Sequence, residues 1–315
     1  MAAQELNYHI HISTKFSVFI HHKPVISWQR LSILVLVLAA ALFVLFETVA
    51  EREYEEIPVF VIAGQSNAVG YGATWQELPA DLHQSSDTVM FWYLQGNPQH
   101  PLASNGWVPL SGVEHHSLPV PGSELSIGPT AAAELRSRIA IIKVAFNGTA
   151  LAQVEGMDWN VQSGNELLDQ LINEVRRALS HMPKRTKGRL AGFFWMQGES
   201  DARSASEQPG MSLLYRQNLE ALIEEVRLKF DKLDLPVVIA RIAVPEVDTR
   251  GRHFAYRDTV REAQQAIAEA DRYVALISTD DLPRQPDDLH FTAQGQWEMG
   301  KRFIAEWLQL TQDKR

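Results

Sequence analysis

Two hydrophobic periods alternate along the chain from residue 57 onward. Short runs at 58–63 (PVFVIA), 88–93 (TVMFWY), 139–145 (IAIIKVA), 190–195 (LAGFFW), 236–242 (PVVIARI) and 273–278 (YVALIS) are apolar at nearly every position. They are too short for ordinary helices, and a strand that is apolar on both faces is one covered on both sides. Between them, 129–138, 164–181, 211–229, 256–270 and 292–310 predict helices. In 164–181 the residues Leu167, Leu168, Leu171, Ile172, Val175 and Leu179 recur at helical spacing, which makes one apolar stripe. Strands alternating with helices predict a parallel sheet between two helix layers. The stretch 95–128 is rich in Gly, Pro, Ser and His and is too long for a plain connector, so it is expected to be a loop that shapes a binding site.

A different pattern precedes this region. Residues 31–46 (LSILVLVLAAALFVLF) carry no charge and no amphipathic stripe, which argues against a buried core helix. With Val25, Ile26, Trp28 and Val49 the weakly polar span reaches roughly 20 residues, the length a bilayer requires. Lys15, Lys23 and Arg30 lie before it and Glu47 and Glu51 after it. That bias predicts a cytoplasmic tail at 1–24, a transmembrane anchor within 25–50 and a domain at 51–315 on the extracytoplasmic side. Thr48-Val49-Ala50 is also a passable cleavage site, so a signal peptide that releases the domain is the alternative.

Composition removes other classes. The formal net charge of −9 argues against a nucleic-acid partner, because a phosphate backbone needs a basic face. The chain has no cysteine, which excludes disulfides, thiolate nucleophiles and zinc–thiolate or iron–sulfur sites. His9, His11, His21 and His22 have only Glu5 near them and do not read as a metal site. His115-His116 falls in the long loop and reads as solvated. Trp92, Trp107 and Trp195 are candidates for stacking on sugar rings, with a place in the core as the plainer reading of Trp195.

Four blocks carry possible chemistry. Ala63-Gly64-Gln65-Ser66-Asn67 follows the first strand, where open α/β sheets bind ligands, and a Ser there can be presented at a helix start or simply cap it. Asp287-Asp288-Leu289-His290 offers a base for that hydroxyl and, three residues away, a carboxylate to fix its tautomer. Gln197-Gly198-Glu199-Ser200-Asp201 follows the fourth strand. The Gln197 amide can donate to an oxyanion, and Glu199 can hold the histidine or serve as a buried structural carboxylate. Ser126-Ile127-Gly128-Pro129 supplies a Gly128 N–H as a second oxyanion donor.

In order and placement these blocks resemble the SGNH hydrolase superfamily. Within it they are similar to the sialate O-acetylesterase domain family, which overlaps carbohydrate esterase family six, the acetylxylan esterases. Gly64-Gln65-Ser66-Asn67, Gly128-Pro129, Gln197-Gly198-Glu199-Ser200-Asp201 and Asp287-x-x-His290 match its blocks, and Asn147-Gly148-Thr149 resembles its Gly-Gly-Thr loop. Trp159, Gly295 and Gly300 also fall where the family carries Trp and Gly, and the likeness covers 57–310. Thr130 stands where members often have Glu, Asn147 replaces a Gly, and Arg241 is unexpectedly charged.

The resemblance implies a three-layer α/β/α flavodoxin-like fold with no cofactor and no metal. It implies a serine esterase that removes O-acetyl groups from carbohydrates. Ser66 would be the nucleophile, His290 the base and Asp287 its orienting acid, with Glu199 as rival or helper. Ser66, Gly128 and Gln197 would form the oxyanion hole, and Gln65, Asn67, Asn147 and Arg241 are candidate substrate contacts. Two rival readings are a lipid or small-ester hydrolase at the membrane surface and a catalytically dead, tethered carbohydrate-binding protein.

Overall fold

Strands and helices alternate through β1 (Glu55–Gly64), α1 (Ser66–Val69), β2 (Ser86–Asn97), β3 (His100–Ala103), β4 (Val108–Leu110), α2 (Glu124–Leu135), β5 (Ile139–Phe146) and α3 (Leu167–Ser180). They continue through β6 (Thr186–Met196), α4 (Gly210–Leu213), α5 (Tyr215–Lys229), β7 (Val237–Ala240), α6 (Arg257–Ala270), β8 (Val274–Ile277) and α7 (Ala293–Gln312). The computed structural model describes residues 32–33, 35–43, 54–79, 86–110, 120–203 and 210–312. The chain divides into two units, Met1–Glu53 and Tyr54–Arg315.

In the first unit, Ser32, Ile33 and 35–43 are helical, and Leu36 and Phe43 are exposed. Among the described residues no helix is long and apolar enough to cross a membrane. The expected anchor at 25–50 falls mostly outside those residues, as do the tail at 1–24 and His115-His116.

The second unit is built on one sheet in the order β3-β2-β5-β1-β6-β7-β8, with β4 also pairing β2. β2, β5, β1, β6, β7 and β8 run parallel, whereas β3 and β4 pair antiparallel with β2 at the edge. Side-chain alternation along β1 separates two cores. Val59, Val61 and Ala63 pack with Leu171 of α3, Leu219 of α5 and Val260 of α6. Phe60 and Ile62 pack on the other face with Ala68 of α1, Ile127 of α2 and Met299 of α7. On that face Phe60 stacks on Phe194 at 5.5 Å and meets the edge of Trp307 at 5.0 Å. The expected three layers are therefore present; four of the six expected strands fall inside observed ones, and those expected at 236–242 and 273–278 are shorter, at Val237–Ala240 and Val274–Ile277.

Three expectations change. The loop expected at 95–128 contains β3 and β4, three- or four-residue edge strands too short to show a period. The helix expected at 129–138 begins at Glu124, with Pro129 inside it rather than in its first turn. The stretch 211–229 is divided between α4 and α5.

β1 has β5 on one side and β6 on the other. Chain growth switches sides at this strand, and in open α/β sheets such a switch leaves a crevice at the carboxyl ends of the strands.

Candidate active site

Ser66 stands in that crevice because Gly64 ends β1. Gly64 has φ +141°, and a Cβ there would lie 1.9 Å from the Met196 carbonyl oxygen on β6, so no other residue fits. The chain turns at Gln65, and Ser66 begins the one-turn helix α1 with only 6% of its surface exposed.

His290 approaches from the turn before α7. Its Nε2 lies 3.0 Å from Ser66 Oγ, and its Nδ1 lies 2.7 Å from Asp287 Oδ2. The other carboxylate oxygen, Asp287 Oδ1, accepts from the backbone N–H groups of Leu289 at 3.1 Å and His290 at 3.0 Å. The three-residue spacing thus closes into a turn, with Asp288 at φ +54°. Burial lowers the His290 pKa from its ordinary value, the Asp287 carboxylate opposes that effect, and the charges of Arg252 and Arg250 reinforce it. For Asp287, burial acts to raise the pKa, but the hydrogen bonds from His290 and Leu289 outweigh it and the net shift is downward. The pair is arranged as a neutral imidazole with Nε2 available to Ser66 and an ionised carboxylate behind it.

Glu199 does not reach the imidazole. Its Oε1 accepts from Asn67 Nδ2 at 2.6 Å, and Oε2 is buried without a hydrogen-bond partner. Burial raises its pKa against the Asn67 bond, with Asp201 adding to the rise. Asn67 in turn donates to the Leu289 carbonyl at 3.2 Å and accepts from Phe291 N–H at 3.2 Å. A clasp from Glu199 through Asn67 therefore holds both neighbours of His290. Asn67 is 1% exposed, so the expected substrate contact is a positioning contact instead.

Other expected residues are also placed differently. Gly128 lies inside α2, where a Cβ would meet Val89 Cγ1 at 2.7 Å and Leu110 Cδ2 at 3.1 Å. Its lack of a side chain serves helix–sheet packing, and it does not line the cavity over Ser66. Gln197 is fully buried and spends its amide on Asp201 Oδ2 at 2.6 Å, Thr149 O at 3.1 Å and Gln65 Oε1 at 3.2 Å. It does not face the cavity. Arg241 pairs with Asp280, which also holds Arg261, and stands apart from the cavity. Trp92 and Trp195 are core residues.

The cavity over Ser66 draws on three neighbouring strand ends. Gln65 and Ser66 come after β1, Asn147 and Gly148 after β5, and Glu199, Ser200 and Arg203 after β6. Gln65 anchors its Oε1 on the N–H groups of Gly198 at 3.4 Å and Ser200 at 3.2 Å, as well as on Gln197. Asp201, pushed up to about 6 by burial, braces the second of these loops by accepting from Leu151 and Ala152 N–H. Tyr71, Arg250, Arg252, Phe254 and Leu289 complete the wall with His290. Sequence reasoning missed Tyr71, Arg203, Arg250 and Arg252, which lie outside the motif blocks and reach the site only through folding. Gly148 is in a motif whose position after β5 was the available signal. Among the described residues no group of His, Asp or Glu is placed to hold a metal ion.

The sequence profile of "Carbohydrate esterase, sialic acid-specific acetylesterase" matches residues 56–309. No curated protein sequence matches the chain. Among solved structures, a protein from Arabidopsis thaliana aligns with TM-score 0.60 and 20% identity over 80% of this chain and 98% of its own. NanS aligns with TM-score 0.54 and 18% identity over 83% and 98%. A carbohydrate acetylesterase from Xanthomonas citri aligns with TM-score 0.52 and 19% identity, over 78% of this chain and 54% of that longer protein. At such identities the structural likenesses speak for the fold, whereas the profile spans nearly the whole second unit. The chain belongs to the carbohydrate esterase family of sialic acid-specific acetylesterases, and it is a carboxylic ester hydrolase.

Proposed function

We propose that the domain removes O-acetyl groups from carbohydrates through a serine acyl-enzyme. The observation that carries this reading is the unbroken hydrogen-bonded chain from Ser66 Oγ through His290 to Asp287, at a cavity. Ser66 Oγ attacks the acetyl carbonyl carbon as His290 Nε2 takes its proton, and Asp287 holds the Nδ1–H. The oxyanion is received by the N–H of Ser66, which has no partner in the first turn of a helix, and by the N–H of Gly148 across the cavity. Gln65 Nε2, on an amide whose oxygen is anchored, adds a third donor. His290 then protonates the departing sugar oxygen. Water enters, gives its proton to His290 and attacks the acyl carbon; the bond to Ser66 Oγ then breaks, His290 returns the proton to Ser66 Oγ, and acetate leaves.

Glu199 and Asn67 position His290. An arginine-lined cavity suits a polar substrate better than a lipid ester, and the intact Ser66–His290–Asp287 chain opposes a purely binding role. The same reading puts the domain outside the cytoplasm, tethered by 25–50 or released after Ala50; the uncharged run and the lysine and arginine bias before it support this. The test is acetate release from acetylated glycans by the parent protein and by Ser66→Ala. Loss of a triad member lowers turnover about 10⁴-fold elsewhere, and a comparable loss is expected here. An Ser66→Ala protein that keeps most of its activity would refute the mechanism.

A further inference from the structure

Ser66 rides on a helix that cannot hold itself. α1 is four residues long, and a single helical turn does not repay the entropy of ordering its backbone. Its own bonds are few. The N–H groups of Ala68 and Val69 donate to the Gln65 carbonyl, and those of Gly70 and Tyr71 donate to the Ser66 carbonyl. The carbonyls of Asn67 and Val69 take partners from outside the turn, as helix ends require. Asn67 O accepts from Gln296 Nε2 of α7 at 2.9 Å, and Val69 O accepts from Lys143 Nζ of β5 at 3.1 Å.

A lysine is a costly donor at that place. Lys143 is fully buried, and burial lowers its pKa against the opposing effect of Glu124. Glu124 Oε2 of α2 balances the charge at 2.7 Å, and that carboxylate is fully buried too. Well-packed apolar residues of similar volume often match or exceed the stability of such a pair, so stability alone does not account for it. What an apolar residue at 143 could not do is donate to Val69 O. A cation there also suits the carbonyl end of the turn. Lys143 does not line the cavity over Ser66, so it does not meet a substrate there.

We propose that Lys143 is a positioning residue for the nucleophile: by holding the Val69 carbonyl it fixes the turn that carries Ser66, and with it the direction of Ser66 Oγ toward His290 Nε2. The inference rests on the reading of Ser66 as the nucleophile. Glu124 keeps the ammonium in place. β5 lies beside β1, with Lys143 opposite Ile62, so the donor reaches α1 from the strand next to the one that α1 follows. The turn is thereby held at its start by β1 and at its end by β5.

The test uses the full-length protein, p-nitrophenyl acetate and a serine-directed phosphonate. Lys143→Met/Glu124→Leu removes the Val69 contact while an apolar pair fills the space, so the fold is retained. Its kcat should fall by about 10²-fold, the loss that a misplacement of about 1 Å brings. KM and the acid limb of the pH profile should stay in place, because neither the cavity nor His290 is touched. Labelling of Ser66 by the phosphonate should slow by a comparable factor. Glu124→Gln should show the opposite pattern. It keeps an acceptor for Nζ, and a buried lysine without its carboxylate can shed its charge and still donate to Val69 O. That variant should lose stability yet keep most of its kcat. A structural role alone would make kcat follow Tm across both variants, and that correlation would overturn the proposal. So would a double variant that turns over and labels at the parent's rate, or one that does not fold, since the pair would then be a requirement of folding. A parent protein that takes no label at Ser66 would sink the nucleophile reading and this inference with it.

Discussion

Asp287 makes three hydrogen bonds within one turn, two from backbone N–H groups and one with the His290 ring. That turn fixes which nitrogen of His290 faces Ser66. Asp287→Asn keeps the shape but presents an amide donor to Nδ1, which favours the wrong tautomer, and kcat is expected to fall about 10⁴-fold. Glu199→Gln keeps an acceptor for Asn67 Nδ2, so a loss of about 10-fold or less is expected, in line with one altered neutral contact. Parallel kcat measurements on the two variants decide between the carboxylates, and an equal or larger loss at Glu199 would reverse the assignment. The base also sets the pH profile. His290 accepts a proton only when neutral, and its pKa is lowered by burial and by Arg252 and Arg250. Activity should therefore persist below the ordinary imidazole value of about 6.5 and fall as pH drops through the lowered one. Arg250→Gln removes one of the nearby positive charges, so the acid limb of kcat/KM should move to higher pH. A limb that stays in place would show that the charge is screened.

At the scale of elements, β5 carries a lysine where its neighbours are all apolar. Lys143 is fully buried. Its Nζ lies 2.7 Å from Glu124 Oε2 of α2 and donates to the Val69 carbonyl at 3.1 Å, the last residue of the nucleophile's helix. Lys143→Met leaves Glu124 charged and unpaired in the core, which costs about 3–5 kcal/mol, whereas the double change Lys143→Met/Glu124→Leu should recover most of that loss. Denaturant midpoints of the two variants test this, and a double variant no more stable than the single one would contradict it. The same strand shows what the sequence made legible. The run IAIIKVA reads as a strand despite its charge, because hydrophobic period is a local property. Ser66, His290 and Asp287 were legible for the same reason, since each stands in a short block at a strand or helix end. The donors were not. Gly128 and Gln197 have the right chemistry, but the neighbours that claim them, Val89 and Leu110 for one and Asp201 and Thr149 for the other, are distant in sequence. Asn67 and Arg241 were misread on the same ground, and Arg250 and Arg252 had no block to mark them.

For the whole molecule, the question is how much of the chain the catalytic unit needs. The buried residues of the two large cores begin at Ile57 and Phe60, and the first strand ladder begins at Glu55. Every residue assigned to the reaction lies after Gly64. The cores and strand ladders of the second unit are built from residues 55 onward, so a protein beginning at Tyr54 is expected to fold as the parent does. Its Tm should agree with that of the full chain within about 2–4 °C, the shift that 1 kcal/mol produces in a domain approaching this size. Its kcat on p-nitrophenyl acetate should match as well, because a soluble ester does not sense a tether. What should change is partition: the full chain is expected in the membrane fraction, resistant to a high-salt wash, because an apolar span of roughly 20 residues is held by hydrocarbon and not by charge. The shortened protein should remain in the supernatant. A full-length chain found uncleaved in the soluble fraction would contradict the tether while leaving the esterase intact. A shortened protein that aggregates would instead show that the first unit contributes to folding.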